Sequence, residues 1–146
     1  MKLKQIAQKI MALPIAALLM MLSLFGCKMQ VLDGDGMVGH SYTHISQEEA
    51  VRRMALDDGH IILDVRTREE YAEGHIPGAV CLPNEEIVAD TPPVSLPDRD
   101  QILLVYCRSG RRSKEAAQKL YDMGYTQVYE FGGILDWQGE VVSGEA

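Results

Sequence analysis

Six consecutive residues, Cys107-Arg108-Ser109-Gly110-Arg111-Arg112, set a soft nucleophile beside three cations and a glycine. The reactive form of a cysteine is its thiolate, which positive charge and oriented N–H groups stabilise. The apolar run Ile102 to Tyr106 precedes this stretch and a helical period follows it, so the loop between them closes on a helix N-terminus. Such a loop turns backbone N–H groups toward one point and adds the positive end of the helix dipole, which suits an anion. Gly110 permits the tight backbone path, while Arg108, Arg111 and Arg112 locally reverse an otherwise acidic surface. The chemistry indicated is a thiolate that attacks, or carries, an anionic group. The competing reading, a buried inert thiol beside solvated arginines, leaves the glycine and the clustering of charge unexplained.

The elements around the loop follow from periodicity and capping. Tyr42 to Ile45 opens the domain, and two Ser/Thr-x-x-Glu sequences, Ser46 to Glu49 and Thr67 to Glu70, predict capping boxes at helix starts. The first helix has Ala50, Val51, Met54 and Ala55 as its apolar face and stops at Asp57-Asp58-Gly59. Ile61 to Leu63 is a short continuous apolar run of the kind found in strands buried on both faces, and it leads into Asp64-Val65-Arg66. Gly74 closes the second helix, Ala79 to Leu82 reads as a strand, and Asn84 to Ala89 as one or two helical turns. Pro92, Pro93 and Pro97 mark a connecting loop. Ser113 to Met123 has a helical period ended by Gly124, Val128 to Phe131 is a last strand, and Gly133 leads into a segment with Ile134, Leu135 and Trp137. Alternating strands and helices predict an α/β domain whose central, mainly parallel sheet is covered on both faces.

The 146 residues allow one ordinary domain with flanking sequence. The formal charge of -7 becomes about -10 once Lys2, Lys4 and Lys9 are set aside with residues 1 to 26. That surface repels nucleic acid and anionic lipid, so an anionic substrate needs a local basic patch. Those lysines precede the uncharged apolar run from Ile10 to Phe25, the pattern of a signal peptide, and the run is short for a bilayer span. Leu24-Phe25-Gly26-Cys27 resembles a bacterial lipobox, with Phe25 where a smaller residue is preferred. The expectation is an exported, periplasmic or cell-envelope protein, acylated at Cys27, with residues 27 to 41 as a tether and 42 to 146 as the domain. Acylation would leave Cys81 and Cys107 as the only thiols, too few for a disulfide framework. His40, His44 and His60 lack the spacing of a metal site.

Asp64-Val65-Arg66, Glu70-Tyr71, Gly74-His75-Ile76-Pro77-Gly78-Ala79 and Leu82-Pro83 resemble, in order and spacing, the N-terminal signature of rhodaneses. Tyr106 to Ser113 resembles their catalytic loop, and Gly132-Gly133 with Trp137 their C-terminal signature, so the likeness covers about residues 42 to 140. Small exported bacterial rhodaneses are similar. The resemblance implies a five-stranded sheet, no metal or organic cofactor, and a sulfurtransferase that carries sulfane sulfur as a persulfide on Cys107. Arg108, Ser109, Gly110, Arg111 and Arg112 would then bind the anionic donor, and a thiol or cyanide would accept the sulfur. Asp64 and Arg66 read as a hydrogen-bonded supporting pair rather than as acid and base, and His75 as structural. Tyr121 and Trp137 read as core or rim packing. Cys81 stands where the family usually has asparagine; an inert buried thiol and a regulatory disulfide with Cys107 are both readings of it. Two other functions remain open: a Cys-based phosphatase or arsenate reductase, and a non-catalytic binding module. Phosphatase loops resemble His-Cys, five residues and Arg, whereas here Tyr106 precedes the cysteine, Arg112 follows after four residues, and Ser113 takes the arginine position.

Overall fold

A computed structural model of the protein describes residues 41 to 145. The expected signal peptide, Cys27, His40 and nearly all of the expected tether lie outside the described residues. Among the described residues five strands occur in chain order: β1 (Thr43–His44), β2 (Ile61–Asp64), β3 (Val80–Cys81), β4 (Ile102–Cys107) and β5 (Gln127–Gly133). Three helices alternate with them: α1 (Gln47–Met54), α2 (Arg68–Glu73) and α3 (Arg111–Asp122). All neighbouring strands pair in parallel, in the order β1-β5-β4-β2-β3. β4 thus lies at the centre, with its carboxyl end at the crevice where open α/β sheets take ligands.

Strand periodicity divides the core. Leu103, Val105 and Cys107 of β4 face a cluster that includes Ala116, Ala117 and Leu120 of α3. Leu104 and Tyr106 face the other side, with Ala50 of α1 and Tyr71 of α2. This alternation covers both sheet faces, as the apolar runs of β2 and β4 predict.

Some local expectations change. Ser46 Oγ accepts the Glu49 N–H at 3.2 Å, but the Glu49 carboxylate turns outward to Arg52 and Arg53, so this cap is half a box. Thr67 and Glu70 make the full reciprocal box. Val51, expected on the apolar face of α1, is exposed. Asn84–Glu86 forms a single 3₁₀ turn. The last helix begins at Arg111, two residues earlier than its apolar period suggested, because that period registers only the face packed on the sheet.

A buried polar cluster fixes the loops above β2. Asp64 Oδ1 accepts the backbone N–H of Arg66 at 3.0 Å, and Oδ2 accepts its Nη2 at 2.6 Å. The same Nη2 donates to the Gly74 carbonyl at 2.6 Å. Tyr106, at the end of β4, donates its hydroxyl to Asp64 Oδ2 at 2.7 Å and accepts the Ile76 N–H at 3.1 Å. His75 is buried, stacks on the Tyr71 ring at 3.7 Å, and pairs by its backbone with Val142 of the C-terminal segment. Trp137 packs against Phe131, and Tyr121 is half-buried.

Cys81 and Cys107 lie on strands separated by β2 and belong to opposite face clusters. Two strand spacings put their Cα atoms about 10 Å apart, beyond the reach of a disulfide. Burial, helped by the Asp64 carboxylate, pushes the Cys81 thiol up, away from the reactive form. The inert reading of Cys81 fits this geometry, and the crosslink does not.

The Tyr106 hydroxyl sits between two buried partners, so its removal exposes the role of the cluster. Tyr106→Phe should lower the free energy of unfolding by roughly 1–3 kcal/mol while leaving the far-ultraviolet spectrum intact. Urea denaturation measures it, and an unchanged midpoint would show that the cluster does not depend on this hydroxyl.

Candidate active site

β4 ends at Cys107, which is only 1% exposed, and α3 begins four residues later. Between them the chain turns at Gly110, the N-cap residue, whose φ of 96° favours glycine. No side chain caps this helix start. The Gly110 N–H instead donates to Cys107 Sγ at 3.1 Å. The N-terminal amides of a 12-residue helix are therefore kept free of side-chain acceptors beside a sulfur atom.

β5 forms the other wall. Val105 pairs with Glu130 and Cys107 with Gly133, so β5 carries one extra residue across this interval. Such a bulge bends a strand and re-aims its end. It brings Gly133 under the loop, where a Cβ would lie 2.2 Å from the Arg108 carbonyl oxygen and 2.6 Å from Ser109 Cα. Glycine is required by proximity here. The Leu135 N–H donates to the same Arg108 carbonyl at 3.2 Å and ties the loop to the chain beyond β5.

The loop residues have different engagements. Arg108 and Ser109 are exposed, and among the described residues the Arg108 guanidinium has no ion pair. Arg111 is also exposed but pairs with Glu115 one turn along α3 at 2.7 Å. Arg112 is committed to Glu70, donating from Nη1 at 2.6 Å and from Nη2 at 2.8 Å. Of the three arginines expected at the donor, Arg112 is thus anchored sideways to the second capping box, leaving Arg108 as the one loop arginine without an ion pair among the described residues. Arg112 still lies within electrostatic reach: Glu70 foremost, and Cys107 more weakly, strengthen its hold on its proton. The phosphatase arginine position is taken by Ser113, which is fully buried.

Three contributors have no role of their own at the site in the sequence: Tyr106 reads as a strand residue leading into the loop, Glu70 as a helix cap within the N-terminal signature, and Glu130 as part of the last strand. Glu130 is completely buried, and its carboxylate accepts from Ser113 Oγ at 2.6 Å, the Gly132 N–H at 2.8 Å and His44 Nδ1 at 2.6 Å. The available signal was its charge inside a buried strand, since buried carboxylates require partners. Among the described residues no group of three or more His, Cys, Asp or Glu side chains could hold a metal. His44 pairs with Glu130 and His60 with Asp58.

The Arg112 hydrogen bonds hold the Glu70 carboxyl down to about 2, aided by the Thr67 N–H. A depressed carboxylate pKa adds stability above the unfolded value, near 4.3, and that stability is lost as pH falls toward the folded value. For a carboxylate a quarter exposed this is about 1–2 kcal/mol after solvent screening. Between pH 5 and pH 2, Glu70→Gln should flatten the fall in stability by that amount. Denaturation at the two pH values checks it, and parallel losses in both proteins would assign the acid sensitivity elsewhere.

Known proteins resemble the chain over most of the described residues. The chain is 39% identical over 74 residues to thiosulfate sulfurtransferase PspE of Escherichia coli (strain K12), covering 51% of this chain and 70% of that protein. It is 36% identical over 110 residues to thiosulfate sulfurtransferase GlpE of Pseudomonas entomophila (strain L48), covering 72% and 96% respectively. A solved structure described as a rhodanese with anions from E. coli superposes with a TM-score of 0.52 at 35% identity, over 58% of this chain and 99% of that one. Residues 46–140 match the family described as Rhodanese-like domain. With that match covering β2 to β5, both signatures and the Cys107 loop, the chain belongs to the rhodanese family.

Proposed function

We propose that this rhodanese-type sulfurtransferase moves sulfane sulfur from thiosulfate, or a similarly small anionic donor, to cyanide or a thiol through a persulfide on Cys107. The observation that carries this reading is the uncapped start of α3, with the Gly110 N–H at 3.1 Å from Cys107 Sγ. The Cys107 thiolate attacks the outer sulfur of thiosulfate and forms a new S–S bond. The original S–S bond breaks, and its electron pair leaves with sulfite. Loop amides stabilise the terminal sulfur anion of the persulfide. Cyanide then attacks that sulfur, departs as thiocyanate, and returns the electron pair to the Cys107 thiolate. The near-complete burial of Cys107 favours a small donor, and exposed Arg108 supplies the charge that attracts it.

Purified protein should release sulfite from thiosulfate and gain 32 Da on Cys107, the mass of one sulfur atom, as read by mass spectrometry. Cys107→Ser should lose the mass gain and turnover together, because a hydroxyl carries no persulfide. Arg108→Ala should raise KM for thiosulfate several-fold with a smaller change in kcat. Faster hydrolysis of an aryl phosphate than sulfur transfer, or full transfer by Cys107→Ser, would overturn the reading.

We further infer that the chain is exported and held to a membrane by an acyl group on Cys27. The support is the Lys2, Lys4, Lys9 cluster, the apolar run and the Leu24 to Cys27 sequence. Mass spectrometry of mature protein should find a lipid-modified N-terminal Cys27, and Cys27→Ala should leave the protein unprocessed or soluble with its transfer activity intact. An unlipidated mature chain starting at another residue refutes the anchor.

A further inference from the structure

An ordinary helix start satisfies the N-cap amide locally, often by a side chain three residues into the helix reaching back to it. In α3 the N-cap residue is Gly110 and the residue three positions on is Ser113, whose hydroxyl lies 3.1 Å from the Gly110 carbonyl oxygen. A free serine hydroxyl there could accept the Gly110 N–H and take it from the sulfur. Instead Ser113 Oγ lies 2.6 Å from Glu130 Oε1, the distance of a hydroxyl donating to a carboxylate. The same Oε1 accepts the Gly132 N–H, and Oε2 accepts from His44, which faces Glu130 directly across the β1–β5 pairing.

We propose that Glu130 is a positioning residue for sulfur transfer: it pins the Ser113 hydroxyl and thereby keeps the Gly110 N–H directed at Cys107 Sγ. His44 fixes the far oxygen of the carboxylate, so the anchor runs from the edge strand to the base of the loop. Glu130 does not touch the reacting sulfur, and it acts through Ser113. The catalytic consequence rests on the persulfide reading above, whereas the hydrogen-bond arrangement can be tested without it.

Glu130→Ala, Glu130→Gln, Ser113→Ala and the Glu130→Ala/Ser113→Ala double variant separate this role from mere packing. Two readouts are needed: the amide resonance of Gly110 in a proton–nitrogen spectrum, and kcat/KM for thiosulfate. Glu130→Ala should move the Gly110 resonance and lower kcat/KM by about tenfold or more, within the range for losing one oriented donor. Glu130→Gln retains a carbonyl acceptor for Ser113 and Gly132, so it should fold normally and stay within about threefold of the wild type. The double variant has no hydroxyl to compete for the amide; its Gly110 resonance should return toward the wild-type position and its kcat/KM should exceed that of Glu130→Ala. Such recovery on adding a second deletion is a coupling that independent structural losses do not produce. An unmoved Gly110 resonance in Glu130→Ala, or a double variant no better than Glu130→Ala, overturns the inference. Absence of any sulfur transfer by wild-type protein would defeat the functional reading instead, while the Gly110 resonances would still decide the wiring.

Discussion

The site depends on one hydrogen-bonding constraint: the start of α3 carries no side-chain cap, and the N–H of its N-cap residue Gly110 is directed at Cys107 Sγ. Folding normally satisfies the first amides of a helix with a side-chain cap, and an uncapped helix start is a cost of order 1 kcal/mol. Here the cap position is a glycine in the left-handed region, which offers no acceptor of its own. The Ser113 hydroxyl, three residues on, is held by a buried carboxylate. Stability withheld at this turn is supplied elsewhere, by apolar packing on both sheet faces and by polar clusters in which every buried side-chain nitrogen and oxygen of the described residues has a partner.

Two ionic frames hold the loop from different sides. Asp64, Arg66 and Tyr106 join the ends of β2 and β4 to the Gly74–Ile76 segment. Glu70 joins the start of α2 to the first turn of α3 through a bidentate contact with Arg112. Bidentate guanidinium–carboxylate geometry restrains direction as well as distance. The price of this rigidity is electrostatic, because the same pairing turns much of the apparent positive charge of the loop inward. Arg108, exposed and without an ion pair among the described residues, is left as the outward cation.

The sequence made the fold legible where patterns are local or where runs exceed their surroundings in apolarity. β2 and β4 were evident from Ile61 to Leu63 and Ile102 to Tyr106, and the Thr67–Glu70 box from four residues. The Cys107 loop stood out because its residue types are unusual together. Contacts between elements distant in the chain were not legible. Glu70 meets Arg112 across 42 residues and His44 meets Glu130 across 86, distances that no helical or strand period encodes. Ser46–Glu49 shows the converse error: the local pattern is present, yet Arg52 and Arg53 offer Glu49 a stronger charge partner than a backbone amide. The bulge in β5 left only adjacent glycines as its trace, and its effect on pairing appears once β4 is alongside.

The placement of the two described thiols on opposite faces of the sheet determines how an oxidised or sulfur-loaded Cys107 can be discharged. A resolving thiol must approach the reacting sulfur in line, and Cys81 is separated from it by the full thickness of the sheet and by β2. No cysteine among the described residues can therefore collect the terminal sulfur by forming an internal disulfide. On the proposed reading, a sulfur placed on Cys107 is out of reach of Cys81, and its release would be left to a molecule small or extended enough to enter the loop. If Cys107 stores sulfur as proposed, the sheet separates that store from Cys81, and its lifetime would follow the supply of acceptor rather than the redox state of the thiols among the described residues.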